Sequence, residues 1–279
     1  MSYKIVVDSC CDLTKELKQD KHFETVPLEL QVGEEIFVDD DSFDQAVFLA
    51  KVAASPTCPK SACPSPEKYM QAYECDAENV YVVTLSANLS GSYNSAKVGV
   101  DLYEEKHGKK NIHVFDSCSA SSGEYQTALF IQKMEEQGKS FEEVISLTNA
   151  FIKDISTYFI LDNLESLRKN GRMSSVKALV ASTLSIKPLM GATDEGVIIQ
   201  KGQAIGMKKA LQKLTDIILS EKKETENRIL VIAHCNNRER AETMRDLLLA
   251  KAVFKDTVII ETAGVSTLYA NDGGIIIVC

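Results

Sequence analysis

The sequence predicts an α/β protein in two parts. The first is a mostly parallel sheet with helices on both faces, Rossmann-like; the second is an α/β unit with a mixed sheet. Three observations lead there. Short apolar runs alternate with amphipathic helical stretches from Tyr3 to Gln137, the pattern of parallel strands joined by crossover helices. Gly138-Lys139-Ser140 interrupts that alternation. Beyond it, from residue 208 on, the order is helix, strand, helix, strand, strand. The expected division is 1–155 and 156–279.

Each element has its own signal. Residues 3–8 read as a first strand. A short helix over 13–19 follows, with Asp12 as its N-cap. Residues 24–30 and 35–38 read as strands around Gly33. Asp41 or Ser42 caps a helix over 43–54, in which Phe43, Val47 and Ala50 share a face. Residues 55–66 hold four prolines, so a loop is expected. Pro66 then opens a helix from its first position. Strands over 80–85 and 112–115 alternate with helices over 93–107 and 122–137. A capped amphipathic helix over 141–154 leads into the second part. There, 158–161, 197–200, 228–233, 257–262 and 275–278 read as strands. Helices are expected over 162–169, 176–184, 208–221 and 238–250, the second apolar enough to be buried on several sides.

Composition narrows the function classes. The 279 residues are 44% apolar and 25% charged, with net charge −9. There is no Lys/Arg run, so no nucleic-acid partner is expected, and the acidic balance disfavours anionic membranes. The longest apolar stretches have strand length, far short of a bilayer span, so no stable membrane insertion is expected. The first residues lack a signal-peptide pattern, which points to the cytoplasm. Eight cysteines are scattered without a Cys-x-x-Cys pair. They read mostly as small buried hydrophobes, and no metal site is expected.

Three small-hydroxyl turns close apolar runs: Ser61-Ala62-Cys63-Pro64-Ser65-Pro66, Leu89-Ser90-Gly91-Ser92 and Asp116-Ser117-Cys118-Ser119-Ala120. In an open α/β sheet, ligands sit outside the carboxyl ends of the strands. Hydroxyls and helix N-terminal N–H groups gathered there suit an anion or carboxylate. None of the turns brings a His, a Lys or a metal ligand. Taken singly, Ser61 reads as a turn residue in a Pro-rich loop and Ser90 as a helix N-cap.

The chain resembles the DegV family of bacterial fatty-acid-binding proteins nearly end to end. Asp8-Ser9-Cys10-Cys11-Asp12-Leu13 is similar to the family's Asp-Ser-Thr-x-Asp-Leu. Lys60-Ser61-Ala62-Cys63-Pro64-Ser65 resembles Lys-Thr-Ser-Gln-Pro-Ser, and Leu89-Ser90-Gly91-Ser92-Tyr93 resembles Leu-Ser-Gly-Thr-Tyr. Asp116-Ser117-Cys118-Ser119-Ala120 is similar to Asp-Ser-Lys-Ser-Ala. Asn170-Gly171-Arg172-Met173-Ser174 ends a helix as Gly-Gly-Arg-Ile-Ser does, and Ile186-Lys187-Pro188 matches another family tripeptide.

The resemblance implies a carrier and not an enzyme. One long-chain fatty acid would lie in a tunnel between two domains, with no other cofactor. Its carboxylate would be gripped at Ser61 and Ser90. Gly91, Ser92, Ser119, Ala120 and Thr267 are the further expected ligand contacts. At roughly 0.8 kcal/mol per buried CH₂, a chain of about sixteen carbons gains on the order of 10 kcal/mol before ordering costs. Candidate tunnel walls are Phe159, Leu179, Leu184 and Ile186. Family members that serve a fatty-acid kinase carry a C-terminal His and an Arg before Lys-Lys-Ala. Here Ala263–Ala270 has no His and Lys201–Ala210 has no Arg. Lys201, Thr267 and Arg172 are the candidate substitutes for presenting the ligand to a kinase subunit.

The competing expectation is a serine hydrolase or acyltransferase with Ser90 as nucleophile and His234 as base. Ala87-Asn88-Leu89-Ser90-Gly91-Ser92 does not fit Gly-x-Ser-x-Gly, and His234 reads better as a hydrogen-bonded structural residue. No phosphate-binding glycine loop follows a strand.

Overall fold

The computed structural model describes residues 3–173 and 185–279. Along the chain run β1 (Tyr3–Asp8), α1 (Lys15–Gln19), β2 (Phe23–Val26), β3 (Glu29–Val32), β4 (Glu35–Val38), α2 (Gln45–Ala54), β5 (Lys60–Ala62), α3 (Pro66–Tyr73), β6 (Asn79–Thr84), α4 (Ser92–His107), β7 (Asn111–Asp116), α5 (Ser122–Glu136) and α6 (Phe141–Asp154). Then follow β8 (Thr157–Ile160), α7 (Glu165–Lys169), β9 (Ile186–Ala192), β10 (Ile198–Ile205), α8 (Met207–Glu221), β11 (Ile229–His234), α9 (Arg238–Leu249), β12 (Asp256–Glu261), α10 (Gly264–Ala270) and β13 (Ile275–Val278).

The first sheet has the order β2-β1-β6-β7, and every pairing in it is parallel. The second has the order β10-β9-β8-β13-β11-β12 and is mixed, antiparallel except for β11 with β12. Both match the expected fold class. A small antiparallel sheet, β4-β3-β5, sits beside them.

Helix α5 lies between the two large sheets, which explains its burial on all sides from Ser122 to Ala128. Its Gln126 amide donates to the carbonyls of Ile229 (3.0 Å) and Val278 (2.8 Å) on the second sheet. One apolar cluster therefore joins Ile5, Val83 and Phe115 of the first sheet to Phe159, Val231 and Ile276 of the second. The outer face of the first sheet packs on α3 and α4, that of the second on α8 and α9. β6, β8 and β13, buried on both faces, read as mainly apolar runs.

Several expected boundaries moved, each for a local reason. The run 24–30 is two strands, because Pro27 lacks the N–H that would continue a ladder; β2 joins the first sheet and β3 the small one. Asp12 does not cap α1. It sits at φ 52° after a short 3₁₀ turn, Ser9–Cys11, and Thr14 caps α1 instead. Asp44 caps α2. The Pro-rich loop contains β5, paired to β3. β9 and α10 had no clear signal in the sequence. The helix expected over 176–184 lies outside the described residues. All eight cysteines are free thiols. Among the described residues no helix is long and apolar enough to cross a membrane.

Candidate functional site

Strand order fixes where a ligand fits. From β1 the chain moves one way to β2 and later the other way to β6, so the order reverses between β1 and β6. A crevice opens outside the carboxyl ends of the strands at such a switch point. The turn after β1 supplies Cys10 and the turn after β6 supplies Leu85, Leu89 and Ser90 to one cavity. The second sheet closes it with Phe159, Ile198 and Ile276, and α10 with Val265, Ser266 and Tyr269. The walls are mostly hydrocarbon, with a few hydroxyls and one cation.

Those polar groups are ordered. Ser61, on β5, holds its Oγ 2.9 Å from the Tyr269 Oη. The Arg172 guanidinium lies over the Tyr269 ring, 5.8 Å from its centroid. Its Nε donates to the Leu89 carbonyl at 3.2 Å, and Nη1 donates to the Asn170 carbonyl. Among the described residues Arg172 is the one cation on the cavity wall, and no carboxylate forms an ion pair with it. Burial pushes the Tyr269 phenol up in pKa, while the Ser61 bond and the Arg172 charge pull it back.

Ser90 also lines the cavity. Its Oγ accepts the N–H of Ser92 at 3.2 Å and lies 3.1 Å from the Ser92 hydroxyl. One Ser90 lone pair is thus taken by the first turn of α4, and its hydroxyl stands at the cavity wall beside that of Ser92. Ser119 reaches the same cavity from the turn after β7, its Oγ 2.6 Å from the Thr157 Oγ1 on the second sheet. That turn is strained: Cys118 and Ser121 have φ of 49° and 55°, a left-handed region costly for side chains other than glycine. Asp116 Oδ1 holds it by accepting the N–H groups of Ala87 (3.1 Å) and Cys118 (2.9 Å).

The cavity brings together Ser61, Ser90, Ser119 and Ala120 of the expected contacts. Gly91, Ser92 and Thr267 do not line it. Gly91 has an ordinary φ of −75°, and a Cβ there would meet Cys63 Sγ at 3.0 Å. Ser92 is fully buried behind Ser90. Thr267 is fully buried with its hydroxyl 2.8 Å from Thr262 Oγ1 and accepting from the Gln45 amide at 3.0 Å. Of the candidate walls, Phe159 lines the cavity and Ile186 does not; Leu179 and Leu184 lie outside the described residues. Lys201 is engaged elsewhere, 2.9 Å from Glu221. Arg172 is the one proposed substitute that reaches the cavity.

Sequence reasoning missed Tyr269 as a polar contact. It stands in the segment compared with the family's His-bearing stretch, and a scan for His passed over a phenol. The hydrolase arrangement is not assembled. His234 is buried, lowered in pKa by that burial, and its Nδ1 accepts the Asn237 N–H at 3.4 Å. No His is among the described residues that line the cavity with Ser90.

The chain is similar to known proteins over its whole length. The DegV family model matches residues 2–278. A DegV domain-containing protein of Streptococcus gordonii is 35% identical over 281 residues, 99% of this chain and 98% of the relative. Among solved structures, a DegV family protein from Ruminococcus gnavus, refined with vaccenic acid, is 51% identical with a TM-score of 0.98, all of both chains being covered. The Streptococcus pneumoniae fatty acid kinase (Fak) B3 protein, loaded with linoleic acid, is 32% identical with a TM-score of 0.91, covering 100% of this chain and 99% of that one.

Proposed function

The chain belongs to the DegV family, and on that premise we propose that it is a carrier that binds one long-chain fatty acid in the cavity between its two large sheets. The observation that carries this reading is the cavity itself: an apolar chamber at the sheet's switch point with Ser61, Tyr269, Ser90 and Arg172 at its wall. An acyl chain needs burial and no polar specificity, while its carboxylate needs donors and a counter-charge.

In this reading Ser61 and Ser90 donate to the carboxylate. Tyr269 holds Ser61 in place, and Arg172 supplies the charge. Ser119 and Ala120 touch the acyl chain. Ser92 acts behind Ser90, and Thr267 serves the fold. The relatives with bound vaccenic and linoleic acid support the ligand class. Residues 1–155 carry the serine-bearing loops that hold the carboxylate, and 156–279 cover the acyl chain while adding Tyr269 and Arg172 at the head group. No cofactor beyond the acid is needed. The similarity to Fak B3 supports presentation of the bound acid to a cytoplasmic fatty-acid kinase, with Arg172 beside the carboxylate where phosphoryl transfer by that kinase would occur.

Mass spectrometry of lipid extracted from the purified, unfolded protein tests the reading. One equivalent of long-chain acid is expected. Recovery of none, with none taken up on incubation, would overturn it. A fluorophosphonate probe is expected to leave Ser90 unlabelled.

A further inference from the structure

Most buried acids in this protein have a visible reason. Asp39 accepts the N–H groups of Gly264 (2.6 Å) and Val265 (2.7 Å), and Asp12 that of Ala263 (2.6 Å), so together they cap α10. Asp8 accepts the N–H of Cys10 on Oδ1 (3.1 Å) and of Leu85 on Oδ2 (3.0 Å). Glu124 has no such reason. It is fully buried at the start of α5, and neither carboxyl oxygen receives a hydrogen bond from an N–H or hydroxyl. Its carboxyl, the Asp8 carboxyl and the Cys10 thiol lie within 4.8 Å of one another.

We infer that Glu124 carries a proton and shares it with Asp8, forming a buried carboxyl–carboxylate pair behind the cavity wall. An ionised carboxylate in that position would be an uncompensated buried charge, and such groups take up a proton instead. Protonation turns Glu124 from an acceptor into a donor, and the Asp8 carboxylate beside it is the acceptor. The division of roles follows from the partners: two backbone N–H groups stabilise the charge on Asp8, and none stabilises one on Glu124. The titratable groups facing the pair are Cys10 and Asp12 from the first turn, Cys11 beside them, and Tyr69 from α3. Each is acidic or neutral, so none supplies a compensating positive charge. Burial and the neighbouring Asp8 both push the Glu124 carboxyl up.

The pair joins two elements that shape the cavity. Asp8 ends β1 and anchors the turn bearing Cys10, which lines the cavity. Glu124 belongs to α5, on which both large sheets pack. Loss of the shared proton would set two like charges side by side without solvent, driving that turn and α5 apart. The wall would loosen and the ligand escape, so the pair makes retention depend on pH. This last step rests on the acyl-carrier reading; the shared proton does not.

Difference infrared spectroscopy tests the proton directly. The wild type at neutral pH is expected to show a protonated-carboxyl C=O band that Glu124→Gln lacks, with or without ligand. Glu124→Gln keeps the shape and donates an N–H to Asp8, so it should fold. In an alkaline titration of protein loaded with a fluorescent fatty acid, the wild type should release ligand, and Glu124→Gln should shift the midpoint up by about one pH unit or more. Identical infrared bands in the two proteins would overturn the shared proton. So would one equivalent of a divalent metal in the wild type that Glu124→Gln loses. Identical release curves would overturn the coupling to the cavity. A protein that never binds acid refutes the carrier reading, and the infrared result alone then decides the pair.

Discussion

The Ser61 hydroxyl lies 2.9 Å from the phenol oxygen of Tyr269, although 208 residues separate them in the chain. One stands on the edge of a three-stranded sheet, the other on a seven-residue helix delivered by the C-terminal half. Their contact brings the two halves together at the cavity, and Arg172 covers it.

Removing the phenol oxygen isolates its contribution. Tyr269→Phe keeps the ring under Arg172 and frees Ser61 from its partner. Fatty-acid affinity is expected to fall by about 0.5–1.5 kcal/mol, the usual net worth of one neutral hydrogen bond. Ser61→Ala with Ser90→Ala is expected to lose more, about 1.5–3 kcal/mol per bond to the charged carboxylate. Isothermal titration with a soluble long-chain acid measures both. Unchanged affinity in the double variant would remove the two serines from the head-group site.

Arg172 is expected to act by charge as well as by hydrogen bonding. Arg172→Leu should weaken acid binding by roughly 1–3 kcal/mol and flatten its dependence on salt, because the screened attraction is gone. Binding of the corresponding neutral fatty alcohol should change little. Equal losses for acid and alcohol would mean that Arg172 only packs.

Thr267 should behave differently from Ser61. Its hydroxyl serves Thr262 and Gln45, away from the cavity. Thr267→Val is expected to cost about 1 kcal/mol of stability with ligand affinity intact. Loss of affinity in a stably folded variant would restore Thr267 to the site.

Gly123 makes room for Ser119. A Cβ on residue 123 would stand 2.0 Å from the Ser119 Oγ and 2.5 Å from its Cβ. Gly123→Ala is expected to destabilise by about 1–3 kcal/mol through overpacking. Adding Ser119→Gly should recover part of that loss, since residues in contact are not additive. Thermal melts of the two single variants and the double complete the cycle. Strict additivity would count against the clash.

Buried acids set a pH trend for stability, Asp12 and Asp39 among them, with Asp8 and Glu124 raised in the same direction. Burial raises Asp12 to about 7 and Asp39 to about 6, despite the N–H groups they cap. Both folded values exceed the ordinary unfolded value near 4, so between those limits the folded state binds more protons. Stability from these groups is fully present below the unfolded value and is lost as pH rises through 6 and 7. Urea unfolding midpoints are expected to fall from about pH 5 to pH 7.5 in this window. A steady rise would show that other groups dominate.

Much of this could be read along the chain, and the misses have local causes. β6 and β13 are apolar runs buried on both faces, which reveal themselves by length and composition. β9 carries Pro188 and Gly191 inside the strand, both poor strand formers, and its pairing with β10 and β8 overrides them. α10 contains Gly264 and Thr267, weak helix formers. It is helical because Asp39 and Asp12, more than two hundred residues earlier, satisfy its first N–H groups. The serines of the site were legible because they sit in turns that close apolar runs. Arg172 was legible only as one of three candidate substitutes suggested by the family resemblance, and Tyr269 was not legible, because its contact with Ser61 spans 208 residues.

The sequence by itself determined the alternation of elements, the parallel first sheet and the hydroxyl-bearing turns, since each follows from local periodicity and turn chemistry. Only the tertiary structure decided which hydroxyls face the cavity, which are consumed by the fold, and which cation stands over them. Those outcomes depend on contacts between segments far apart in the chain, where packing of two sheets around α5 sets positions that no local pattern encodes.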